Sequence, residues 1–131
     1  MRVVGIFSVA LVSVALGACA STPQMDPRAA LLQSCEDASD AFPWLITDNW
    51  ADGDAYEPAS QFHADGVLVY AYDGSVFDNG RWSLEGAALH IDMNDHYADY
   101  DGTFDGVKGS GAMKNEPGNK GTWTLARACG G

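Results

Sequence analysis

Histidine and carboxylate side chains crowd one stretch of the chain. His90, Asp92, Asn94, Asp95, His96, Asp99, Asp101 and Asp105 follow one another at short intervals, with His63 upstream. Imidazole and carboxylate groups together can bind a divalent cation or pass a proton. The spacing argues for something plainer. His90 and Asp92 alternate with Leu89, Ile91 and Met93, so on a strand the charged pair points outward, where charged residues ordinarily sit. Asp99, Asp101 and Asp105 surround Gly102 without the Asp-x-Asp-x-Asp-Gly order and trailing Glu of a calcium loop, and hairpin turns account for the same residues. Ser83, Ser110 and the threonines stand in no Gly-x-Ser-x-Gly motif, and there is no glycine-rich phosphate loop. The expectation is a non-catalytic protein with neither a metal site nor a cofactor.

The chain opens with Arg2 and an apolar run over residues 3–15, too short to span a bilayer and shaped like a secretory signal. It closes on Leu16-Gly17-Ala18-Cys19. These four residues match the lipobox, and here the sequence resembles a bacterial lipoprotein precursor. The resemblance implies a diacylglycerol thioether on Cys19 with cleavage before it. Residues 1–18 are then a signal peptide, 19–26 a lipidated cysteine and tether, and 27–131 a single domain. Ala20 stands where an Asp would favour inner-membrane retention, so the implied address is the outer membrane of the cell envelope, facing the periplasm. With Cys19 given to lipid, Cys35 and Cys129 remain in an exported chain, and the expectation is a disulfide joining the domain's two ends. No Cys-x-x-Cys or His-x-x-x-His spacing favours a metal instead.

Charge narrows the partners. There are 18 acidic and 7 basic residues, and loss of Arg2 with the signal raises the imbalance. Such a chain repels nucleic acid and attracts cations.

The elements that position these residues follow from periodicity. Asp26 and Pro27 suit a helix start, and Leu31, Leu32, Cys35, Ala38 and Phe42 recur at helical spacing, predicting a short amphipathic helix that ends near Pro43. Beyond it the period changes to alternation broken by Asp52-Gly53, Asp65-Gly66, Asp73-Gly74, Asn79-Gly80, Asp101-Gly102 and Asp105-Gly106. Some of these glycines, Gly80 among them, are candidates for bulges inside strands. Strand character falls over residues 44–50, 56–63, 67–72, 76–84, 87–93, 97–104, 107–113 and 121–128. The fold class is all-β: a small antiparallel up-and-down meander or barrel of about eight short strands with an N-terminal helix. Core-facing sets are Leu89, Ile91 and Met93, then Trp82 and Leu84, then Trp123 and Leu125. Residues 67–72 are apolar on both faces, which suits a central strand or one beneath the helix.

An early tryptophan (Trp44 or Trp50), a run of hairpins and a last strand ending Trp123-Thr124-Leu125-Ala126-Arg127 are similar to small lipocalin-like and avidin-like barrels. The resemblance implies that Arg127 covers the early tryptophan. Asp48-Asn49-Trp50 departs from the Gly-x-Trp of lipocalins. Two readings of function follow. In the first, an aromatic-lined mouth holding Tyr70, Tyr72, Trp82, Tyr97, Tyr100 and Trp123 takes a small apolar or sugar-like ligand, unless side chains simply fill the barrel. In the second, the protein is an inhibitor or immunity-type lipoprotein whose acidic surface meets a cationic secreted enzyme.

Overall fold

The first strand sets the architecture. In β1 (Trp44–Trp50) the side chains of Trp44, Ile46 and Asp48 are buried while Leu45 and Thr47 between them are half-buried. A strand with alternate residues inward needs neighbours on both edges, and β1 has them along its full length. A computed structural model describes residues 26–37 and 41–129. In it β1 is followed by β2 (Ala55–Tyr56), β3 (Ala59–Phe62), β4 (Val67–Tyr72), β5 (Ser75–Glu85), β6 (Ala88–Met93), β7 (Ala98–Phe104), β8 (Lys108–Asn115) and β9 (Lys120–Arg127). Each strand from β3 onward pairs antiparallel with the next, and β9 returns to β1, from Trp44↔Arg127 to Trp50↔Gly121. The result is a closed eight-stranded antiparallel barrel with β2 as a short additional strand. Closure leaves no long unpaired edge.

The expected strand at 56–63 is split. β2 and β3 pair with the same edge of β1 in one register, Asp48↔Tyr56 and Trp44↔Ser60, but Pro58 lies between them and has no N–H to give the ladder. Its carbonyl still accepts from the Ile46 amide at 3.1 Å. Four of the Asp-Gly pairs fall in turns; at Asp73-Gly74 both residues have positive φ, 51° and 80°. Asp101-Gly102 instead lies inside β7 and Asn79-Gly80 inside β5. Between Leu68↔Gly80 and Tyr70↔Phe77 the β4–β5 register slips, so Asp78 and Asn79 together oppose Val69 in a bulge. A Cβ on Gly80 would stand 2.8 Å from the Leu68 carbonyl oxygen, which fixes glycine beside that bulge.

The core-facing sets are as the alternation predicts. Leu89, Ile91, Met93, Trp82, Trp123 and Leu125 are all buried, and Leu84 is packed against them. In β4 the inward residues are Leu68 and Tyr70, while Val67, Val69 and Ala71 are half-covered on the outside; the helix packs against β3 rather than β4. Outward positions such as Ser83, Glu85, Asp101, Ser110, Lys114 and Thr124 are exposed and polar.

Helix α1 (Pro27–Leu32) is shorter than the spacing predicts. Asp26 caps it, its carboxylate accepting from the Ala29 amide at 3.3 Å. It stops at Leu32, where Gln33 turns extended, and barrel side chains take up the carbonyls at its end. The Trp44 indole N–H donates to Leu31 O at 3.1 Å, and the Arg127 guanidinium donates to Ala30 O at 3.5 Å and to Ser34 O at 2.8 Å. Gln33 is already extended, and Cys35 therefore follows the helix instead of riding on it. Phe42 is likewise outside the helix, and Ala38 lies outside the described residues. Cys35 and Cys129 are bonded, with Cα atoms 5.4 Å apart across 94 positions of sequence. Arg127 lies 5.1 Å over the Trp44 ring, as the barrel resemblance implies.

Candidate ligand-binding site

The two ends of the barrel differ. At the end where β1 starts and β9 finishes, α1 lies across the opening with Leu31 fully buried, and Arg28 donates to Ala64 O at 3.0 Å while covering the Trp82 ring at 4.8 Å. Beneath it Trp44 meets Phe104 at 5.4 Å and Phe62 at 6.5 Å, and Phe62 meets Trp82 at 5.4 Å, all edge to face. These rings fill the barrel beneath the helix, and a second cavity, of about 410 Å³, lies at this end against Phe104, Lys108 and Leu125.

The opposite end, framed by the turns at residues 51–54, 73–74, 94–97 and 116–119, holds a cavity of about 430 Å³. This is within the size range of small-molecule sites. Its walls are rings. Tyr70 stacks on Phe77 at 5.4 Å, Tyr56 meets Tyr72 edge-on at 5.3 Å, and Trp50 and Tyr97 complete the ring of aromatics. The Tyr70 hydroxyl donates to Asn79 Oδ1 at 2.7 Å, and the Asn79 amide donates to Asn94 at 3.2 Å, so the β5 bulge braces the wall. The turn carrying Asn94 and Tyr97 has three consecutive residues of positive φ, Asn94, Asp95 and His96, residue types among those that tolerate this region best. His96 Nδ1 and Asp92 Oδ2, 2.7 Å apart, tie it to β6.

The floor holds Asp48. It is the third inward residue of β1, only 4% exposed among apolar neighbours, and it is pinned by a 2.6 Å hydrogen bond from the Tyr100 hydroxyl to Oδ2. Burial pushes its carboxyl up to about 6 against the opposing pull of that hydrogen bond. Tyr100 is driven well above the ordinary tyrosine range, first by burial and then by the Asp48 charge, and stays a donor. Asp48 Oδ1 is buried and has no hydrogen-bond partner among the described residues. Asp52 and Asp54 stand on the rim above it.

Four of the six expected lining residues, Tyr70, Tyr72, Tyr97 and Tyr100, are brought together here. Trp82 is not: it belongs to the packed end, with its indole N–H donating to His63 O at 2.9 Å. Trp123 is not either. It is buried behind Tyr100, ring centroids 6.2 Å apart, and its N–H is shared between Ala112 O and Asp101 O. Asp48, Trp50, Tyr56 and Phe77 line the cavity without having been singled out from the sequence for that role. For Asp48 the signal was present, since alternation along Trp44, Ile46, Asp48 and Trp50 places one carboxylate on a core face.

The histidine and aspartate run forms a separate outer patch on β6 and β7. His90 Nδ1 pairs with Asp101 at 2.7 Å, and ligand-type atoms of His90, Asp92 and Asp99 lie within 4.8 Å of one another. The Asp99 carboxyl is held above the usual range, first by a carboxyl-to-carboxyl hydrogen bond with Asp92. Asp92 Oδ1 is buried in this patch and has no hydrogen-bond partner among the described residues. Asp105 is spent in the β7–β8 turn, where it accepts from the Val107 and Lys108 amides at 2.8 Å each; those bonds hold its carboxyl below the usual range.

Fold and site together define a small closed antiparallel barrel, plugged at one end and open at an aromatic, acid-floored end. No family model matches the chain, and no curated protein matches it. A solved structure of a redesigned β-barrel is similar, with a TM-score of 0.47 and 19% identity over 81% of this chain and 99% of that one.

Proposed function

We propose that the protein is a non-catalytic, lipid-anchored envelope barrel that takes a small, ring-bearing or apolar molecule into its open end. The observation that carries this reading is the contrast between the ends. At the plugged end α1 and the buried Leu31 cover the ring cluster, whereas at the open end uncovered rings and the buried Asp48 line a cavity of about 430 Å³. Aromatic faces around a fixed polar group suit a ligand with an apolar body and a polar tip.

Anchoring rests on the lipobox resemblance at Leu16 to Cys19, which lies outside the described residues. Among the described residues no helix is long and apolar enough to cross a membrane. A lipid on Cys19 supplies stable attachment without a spanning segment. The tether enters at Asp26, beside the plugged end, which leaves the open end free of the attachment point.

Native mass spectrometry of the chain exported to a periplasm tests the ligand reading. A small-molecule adduct that is lost on denaturation, and lost from Ala98→Trp, which fills the cavity, is the expected result; an adduct unaffected by Ala98→Trp contradicts it. Cys19→Ser is expected to release the chain from membranes, read by fractionation, and persistent membrane attachment contradicts the anchor.

A further inference from the structure

Resting on the reading of the open end as a ligand site, we infer that its ligand is an organic ammonium whose N–H donates to Asp48 Oδ1 and whose body lies among the mouth's aromatic rings. Asp48 is the built part of the site. Its Oδ2 is taken by Tyr100 at 2.6 Å, and the geometry leaves one carboxylate oxygen, buried and unpartnered, beside the cavity. A buried anionic oxygen is costly until a donor reaches it, and a charged donor offsets that cost best because it also neutralises the ion.

The rest of the lining selects the sign of the charge. It includes three carboxylates, Asp48, Asp52 and Asp54, and none of its side chains is cationic. An anionic ligand would meet only like charge. A neutral ligand would supply Asp48 with no countercharge. A cation gains twice, from the carboxylates and from the aromatic rings of the lining, Trp50, Tyr56, Tyr72 and Tyr97, since ring faces attract cations. The requirement for an N–H, as opposed to a fully alkylated nitrogen, comes from the single unpartnered oxygen of Asp48.

The experiment compares three probes of one shape by calorimetry on the full chain with Cys35–Cys129 bonded: phenethylammonium, phenethyl alcohol and phenylacetate. The ammonium is expected to bind on the order of tenfold tighter than the alcohol, as a charge-assisted hydrogen bond should, with phenylacetate weakest. In Asp48→Asn the ammonium and alcohol should bind with nearly equal affinity. Equal binding of ammonium and alcohol to the natural chain overturns the inference while leaving the ligand reading of the cavity standing, and this arm needs no variant. A preference that survives Asp48→Asn overturns the assignment to Asp48. Failure of all three to bind at millimolar concentration overturns the ligand reading itself and the inference with it.

Discussion

Two ends of one barrel are built from the same material and do opposite things. Both present inward-facing aromatic residues on alternating strands. At the end under α1 the rings of Trp44, Phe62, Trp82 and Phe104 contact one another and a buried Leu31 seals them from solvent. At the other end Tyr72 and Tyr97 are each 40% exposed and line the cavity. What separates the two is the segment before β1, which the disulfide and Arg127 hold across one opening; the other opening is framed only by hairpin turns. A plug turns an aromatic cluster into core, and its absence leaves a site. Stability should therefore concentrate at the plugged end and binding at the open end.

Four substitutions test that division, in order of expected effect. Cys129→Ser should cost the most, about 4 to 5 kcal/mol by the chain-entropy model for a loop of this length. Chemical denaturation of the oxidised chain and the variant would read it, and equal midpoints would show that the plug needs no staple. Trp44→Ala, also at the plugged end, should cost about 3 to 5 kcal/mol, since it removes a fully buried indole together with the donor to Leu31 O.

Asp48→Asn should act in the other direction. A free aspartate ionises near 3.8 and Asp48 near 6 in the folded chain. Between those values the folded state keeps a proton that the unfolded state has lost, so stability falls as pH rises. The fall is complete above about pH 6 and amounts to roughly 3 kcal/mol at most. Removing the charge should raise stability at pH values well above 6 by about 1 to 3 kcal/mol and flatten the slope; a variant less stable than the natural chain at alkaline pH would show that the carboxylate is paired within the protein. Tyr72→Ala should be the mildest, below about 1 kcal/mol, because its ring is partly in solvent. Its effect should appear in ligand affinity instead.

Most of the strand order was legible in the residues. Alternation and Asp-Gly turns located eight strand segments, and the inward sets at β6 and β9 were read correctly because each strand's apolar residues fall cleanly on one side. Height along the barrel axis was not legible. Trp82 and Trp123 share an inward orientation with Tyr100, but whether an inward ring reaches the mouth depends on strand tilt and hairpin length, which alternation does not encode. The helix end was not legible for a similar reason: the residues that satisfy the carbonyls there, Trp44 and Arg127, are distant in sequence. Asp48 was readable as an anomaly of face, a carboxylate between Ile46 and Trp50 on the core side.

The four indole N–H groups give the most direct test of where a ligand sits. Trp44 and Trp82 donate to backbone carbonyls at the plugged end, Trp123 donates behind Tyr100, and Trp50 lines the mouth. In an amide and indole NMR spectrum titrated with phenethylammonium, the Trp50 signal should move most, with the Trp44 and Trp82 signals unmoved. Movement of Trp44 or Trp82 while Trp50 stays fixed, or no movement at any indole at saturation, would contradict a ligand site at the open end.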